Sequence, residues 1–157
     1  MTLHNLETGL VSIKQLSTDL NVPIVADLMG GVAAEAIAKK LAIMRDLPLD
    51  LHPWCTYWLI VLECDNIAMG LVGFKGVPDA EGRVEIGYGI NAIYQGRGYM
   101  TEAVEAIVDW AFSHPECRLV TAFTQPDNIA SRKVLVKNGF EETGSPGDEV
   151  QYSKTSD

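Results

Sequence analysis

The chain has 157 residues, 47% of them apolar and 21% charged, with 12 Lys and Arg against 21 Asp and Glu for a formal charge of −9. That length suits one domain and that composition an ordinary globular core, which excludes paired domains and disordered tails. The acidic balance argues against a nucleic-acid binder, because phosphate contacts need a basic surface, but it leaves room for a small anion held by a few local groups.

Residues 10–16 read as a first strand, followed by a polar helix start at Ser17-Thr18-Asp19 and a short helix after Pro23. Over 33–46, Ala36, Ile37, Leu41 and Met44 recur at helical spacing, and Pro48 and Pro53 then break the pattern. The run Trp54-Cys55-Thr56-Tyr57-Trp58-Leu59-Ile60-Val61-Leu62 is aromatic, β-branched and apolar on both faces, which predicts a strand covered on both sides. Asp65-Asn66 is a hairpin signal returning as a strand over 67–75, and a turn at 78–82 leads to a strand over 83–90. After Gln95-Gly96-Arg97-Gly98 the period becomes helical, with Val104, Ile107, Val108, Ala111 and Phe112 on one stripe up to His114-Pro115. Residues 119–124 form a short strand. Gln125-Pro126-Asp127-Asn128 opens a helix that stops at Asn138-Gly139, and strands over 140–143 and 150–153 close the chain. The order predicts a mixed α/β layer fold.

Cys55, Cys64 and Cys117 are odd in number and lack CxxC spacing, and His4, His52 and His114 form no HExxH pair, so neither a disulfide framework nor a metal site is expected. No apolar run reaches the ~18 residues of a membrane helix, and the amino terminus lacks a basic start and an apolar core. A cytoplasmic protein without membrane contact is the expectation.

The chemistry concentrates between Glu85 and Thr101, where a strand delivers the chain to a loop with two glycines and the loop opens a helix. Glycines let backbone amides approach an anion, and the helix start adds positive partial charge. The residues therefore allow a phosphate cradle reinforced by Arg97, or a turn that needs glycine only for its geometry. A Walker loop is disfavoured because there is no Gly-Lys pair, and a dinucleotide fingerprint because Thr101 stands at its third glycine. Farther on, Asn128-Ile129-Ala130-Ser131 reads as a helix start.

With these parts in order, the chain resembles the GNAT superfamily of acetyl-CoA-dependent N-acetyltransferases. It looks most like the branch of the bacterial ribosomal-protein N-terminal (RimJ/RimL-type) enzymes. The resemblance is carried by Glu85-Ile86-Gly87-Tyr88, by Gln95-Gly96-Arg97-Gly98-Tyr99 with Thr101-Glu102-Ala103, and by Asn128 and Ser131 through Gly139-Phe140. It covers residues 84–140 and departs at Met100, where the family carries a small residue. It implies a GNAT-like domain over 1–157, with a mixed, mostly antiparallel central sheet of about six or seven strands flanked by helices on both faces.

By the same resemblance the strands over 83–90 and 119–124 splay apart, and acetyl-CoA is the cosubstrate, with no metal. The backbone of Ile90 and Asn91 would pair with the pantetheine arm. The loop Gln95, Gly96, Arg97, Gly98, Tyr99 and Met100 would hold the pyrophosphate, and Asn128 would reach the pantetheine. Arg132 and Lys133 read either as neighbours of the cofactor's outer end or as a solvated helix face. Glu85 is the general-base candidate, through water, against a plain strand carboxylate, and Tyr88 and Tyr94 are phenols close by. Leu135 occupies the position of the family's tyrosine acid, so Ser131 inherits that role, against simple helix capping. The acceptor site is expected from residues 17–50, 77–82 and 143–149, with Trp54, Tyr57 and Trp58 either lining it or in the core.

The implied reaction is acetyl transfer to a primary amine, on a protein N-terminus or a small molecule. The competing class is a CoA-binding sensor that does not turn over. Oligomeric state is open, with a homodimer one option. Residues 94–137 carry five basic and five acidic groups, while the acidic surplus lies on either side and would favour a cationic acceptor.

Overall fold

Alternation along the central strands decides which apolar groups meet which helices. A computed structural model describes residues 5–15 and 33–157. Its strands are β1 (Asn5–Glu7), β2 (Val11–Gln15), β3 (Tyr57–Leu62), β4 (Ile67–Phe74), β5 (Arg83–Ile90), β6 (Leu119–Thr124), β7 (Glu141–Gly144) and β8 (Val150–Thr155). They form one sheet in the order β1-β2-β3-β4-β5-β6-β8-β7. The helices are α1 (Ala33–Met44), α2 (His52–Cys55), α3 (Tyr99–Phe112) and α4 (Ile129–Lys137).

Trp58, Ile60 and Leu62 of β3 enter the main core with the apolar stripe of α3 and Leu135 of α4. Leu59 and Val61 face the other way and join Ala68, Leu71, Ile37 and Leu41 under α1. Helices therefore cover both faces, as expected, each facing one half of the strand alternation. The sheet has eight strands rather than six or seven, because the unanticipated β1 pairs antiparallel with β2 at the edge. Three residues are too few to give a sequence period.

A second correction concerns Trp54 and Cys55. They end the short helix α2, which begins at His52-Pro53, and the strand starts only at Tyr57. Proline fixes the first helical turn, and a continuous apolar run cannot reveal that change of conformation. Trp54 and Trp58 are buried against Trp110, so both are core residues and do not line an acceptor site. The expected helix start at 17–19 and the helix after Pro23 lie outside the described residues.

Two irregularities shape the site. Between Ile60↔Gly70 and Val61↔Ala68 the β3–β4 register slips, and the carbonyl of the extra residue Met69 accepts the Asn91 amide at 2.9 Å. A Cβ on Gly70 would lie 2.7 Å from the Gly89 carbonyl oxygen, so glycine allows β4 to close on the end of β5. The second is the pairing of β5 with β6, the sheet's parallel pair, which holds only from Arg83↔Leu119 to Glu85↔Thr121. Beyond that point β5 runs on to Ile90 and β6 to Thr124 without further pairing to each other.

Candidate active site

The gap between β5 and β6 opens into a cleft of about 440 Å³ bounded by the end of β5, the glycine loop, the first turn of α3 and one side of α4. Gly96 (φ 74°) and Gly98 (φ 86°) lie in the left-handed region, and a Cβ on either would meet nothing within 4 Å. Backbone conformation, not crowding, therefore demands glycine there. Gly98 caps α3 without a side-chain hydrogen bond, and Tyr99, Met100 and Thr101 of the first turn line the cleft beside it. Open amides at a helix start are a fitting seat for a pyrophosphate.

Of the residues assigned to the cofactor from sequence, Ile90, Gln95, Tyr99, Met100 and Asn128 line this cleft together with both loop glycines. Met100 is 7% exposed and packs in the main core, so the larger side chain is accommodated inward. Asn91 and Arg97 do not line it. The Asn91 side chain instead accepts the Ile93 amide at 3.0 Å, its own amide is held by Met69, and the Ile90 carbonyl accepts Gln95 Nε2 at 3.3 Å. These bonds fix the bend that delivers the glycine loop.

Asn128 Oδ1 accepts the Ser131 amide at 3.1 Å and so supplies the cap of α4. Ser131 is thereby relieved of capping. Its Oγ lies 2.9 Å from the Tyr88 hydroxyl, and both side chains face the cleft. Burial pushes the Tyr88 phenol up to about 12, partly opposed by its bond to Ser131. Leu135 is fully buried in the core, so α4 offers no phenol at that position.

Glu85 is not on the cleft wall. It is the last β5 residue paired with β6, at the apex of the gap, and its carboxylate is ion-paired with Lys75. Arg132 also lies off the wall: its guanidinium donates to the Tyr152 hydroxyl at 3.0 Å and to the Pro126 carbonyl at 3.1 Å. Lys133 does line the cleft, and so does Lys137, one turn on, which sequence reasoning missed. Its spacing of four residues from Lys133 was the available signal. Neither lysine has an ion-pair partner among the described residues. Among the described residues no group of three or more His, Cys, Asp or Glu could hold a metal ion, and no helix is long and apolar enough to cross a membrane.

A mixed sheet split at one parallel pair, with an open glycine loop leading into a helix at the split, defines the GNAT fold. The chain matches the acetyltransferase (GNAT) domain over residues 28–141, and it belongs to that family. It is 37% identical over 83 residues to the uncharacterized N-acetyltransferase YjdG of Bacillus subtilis (strain 168), covering 53% of this chain and 49% of that protein. It is 28% identical over 109 residues to the ribosomal-protein-serine acetyltransferase of Escherichia coli (strain K12), covering 69% of this chain and 59% of that one. The chain thus spans about half the length of most of the curated relatives it matches.

Among solved structures, the ribosomal-protein-S5-alanine acetyltransferase of Vibrio fischeri is similar with a TM-score of 0.74 at 18% identity, over 98% of this chain and 97% of that one. RimJ of Mycobacterium smegmatis, solved with CoA-disulfide, is similar with a TM-score of 0.64 at 18% identity, over 98% and 86% of the two chains. At such identities the structural likeness speaks for the fold alone.

Proposed function

We propose that this chain, acting as one domain over residues 1–157, transfers the acetyl group of acetyl-CoA directly to a primary amine. The observation that carries this reading is the split cleft itself. It has open helix amides at one end, the Ser131 and Tyr88 hydroxyls on its wall and Glu85 at the apex of the split. Acetyl-CoA supplies an activated thioester. The loop amides hold the phosphate end, and the wall formed by Gly89 and Ile90 guides the arm toward Ser131. Glu85 takes a proton from the incoming ammonium, directly or through water, and so frees the nitrogen lone pair. The amine then attacks the carbonyl, the N–C bond forms as the C–S bond breaks, and the second nitrogen proton passes to solvent. Ser131 donates a hydrogen bond to the departing sulfur, which then takes a proton from solvent.

The amine is on a protein N-terminus or a small molecule, in a cytoplasmic setting, and the acidic surplus outside residues 94–137 favours a cationic acceptor. The ion pair between Glu85 and Lys75 favours a second reading, a CoA-binding domain that does not turn over. One experiment separates them: thiol release from acetyl-CoA with a panel of Ala-, Ser- and Met-initiated peptides, polyamines and an aminoglycoside. Amine-dependent release that Glu85→Gln abolishes supports the enzyme. Stabilisation by acetyl-CoA without release on any amine supports the sensor.

A further inference from the structure

We propose that Tyr88 is a positioning residue for Ser131, its phenol donating to Ser131 Oγ so that the serine O–H is aimed at the sulfur of bound CoA. The two residues are 43 positions apart, one on β5 and one on the first turn of α4. Their oxygens are 2.9 Å apart, and both side chains line the cleft. The Tyr88 hydroxyl also donates to the Ser131 carbonyl oxygen at 3.3 Å, so its one proton is shared between two acceptors on the serine, of which Oγ is the nearer.

The serine amide is spent on Asn128, so the hydroxyl has no duty as a cap. With a donor already on Oγ, the serine proton must be directed elsewhere, and the cleft is the polar space that its side chain faces. A phenol pushed up to about 12 by burial stays protonated across the working range and never accepts the proton. As the C–S bond breaks, the electron pair moves onto sulfur and is met by the serine O–H. The tyrosine keeps its proton throughout and acts only through the serine. A phenol from the strand thereby supports the helix at which Leu135 offers none.

The inference rests on CoA occupying the cleft, and its test needs no acceptor amine. The thiol of bound CoA is titrated by its thiolate ultraviolet absorbance in the wild type, Tyr88→Phe, Ser131→Ala, Ser131→Thr and the double variant Y88F/S131A. Calorimetry establishes CoA binding in each. A hydrogen bond to the thiolate lowers its pKa, so the wild-type complex is expected to titrate about one pH unit below S131A. Y88F is expected to lose at least half of that difference, the double variant to match S131A, and Ser131→Thr to keep the low value.

Lys133 and Lys137 on the cleft wall, Arg132 at Tyr152, and the Lys75–Glu85 pair remain in place in every variant. The comparison therefore isolates the hydroxyls. Binding of CoA with Y88F titrating like the wild type, or with the two substitutions adding, overturns the positioning role alone. No binding of CoA to the wild type overturns the cofactor reading and this role together.

Discussion

The carboxylate of Glu102 accepts the backbone amide of Leu10 at 3.0 Å and lies 2.5 Å from the Thr8 hydroxyl, tying the turn between β1 and β2 to the first turn of α3. An acid in the first turn suits the helix dipole but would repel a phosphate at the same helix start. Directing it at Leu10 and away from the cleft resolves that conflict.

Glu102→Ala should release the turn and cost about 1–2 kcal/mol, or a few degrees in Tm. CoA affinity should change less than threefold, since Glu102 does not line the cleft. Thermal unfolding paired with calorimetric titration reads both. An unchanged Tm would show that the turn is held by other contacts.

The stretch from β5 to α4 was legible because each change of period is marked by residues with a single local meaning: glycines at positive φ before α3, and asparagine capping α4. Its boundaries agree with expectation at Arg83, Ile90, Leu119, Thr124 and Lys137. What the sequence concealed depends on packing between distant elements. Arg132 and Lys133 are adjacent and chemically alike, yet one is bound to Tyr152 while the other faces the cleft. Likewise the pairing of Tyr88 with Ser131 is made by the approach of α4 to β5, and Asn91 is taken up by a bulge in β4. Local pattern carries no trace of such contacts.

For Asn128 the cap and the proposed cofactor contact are separable. Its Oδ1 caps α4, while its Nδ2 is free to donate toward a pantetheine carbonyl. Asn128→Ala should lose about 1 kcal/mol of stability and also weaken CoA binding. Asn128→Ser, which can still cap, should keep the stability and show only the weaker binding. Urea unfolding and calorimetry on the two variants distinguish the effects. If Ser restores CoA affinity as well, the amide makes no contact with the cofactor.

Lys133 and Lys137 stand one turn apart on the cleft side of α4. CoA carries a ribose phosphate beyond its pyrophosphate, and these lysines are the cations on the wall able to meet it. K133M/K137M should bind CoA about tenfold more weakly, with 3′-dephospho-CoA less affected. Raising the salt should shrink the difference, because exposed charges are screened. Calorimetry with both ligands at two salt concentrations checks this. Equal CoA affinity in wild type and variant would remove the lysines from the site.

Alkaline stability follows from one buried and one half-buried acid. Burial, aided by Glu116, pushes the Cys117 thiol from 9.0 up to about 11, and burial pushes the Tyr88 phenol from 10.0 up to about 12. In each window the unfolded chain releases a proton that the folded chain keeps. The unfolded state then binds fewer protons, and stability falls as pH rises. The contribution is intact below pH 9, declines through the thiol window first, and continues to decline through the phenol window to about 12. Each group accounts for at most about 3 kcal/mol. Urea midpoints measured from pH 8 upward should show this descent. Cys117→Ala should flatten its lower part and Tyr88→Phe its upper part, whatever constant offset each substitution adds. A Y88F profile parallel to the wild type above pH 10 would mean that the phenol ionises as readily in the folded chain as in the unfolded one.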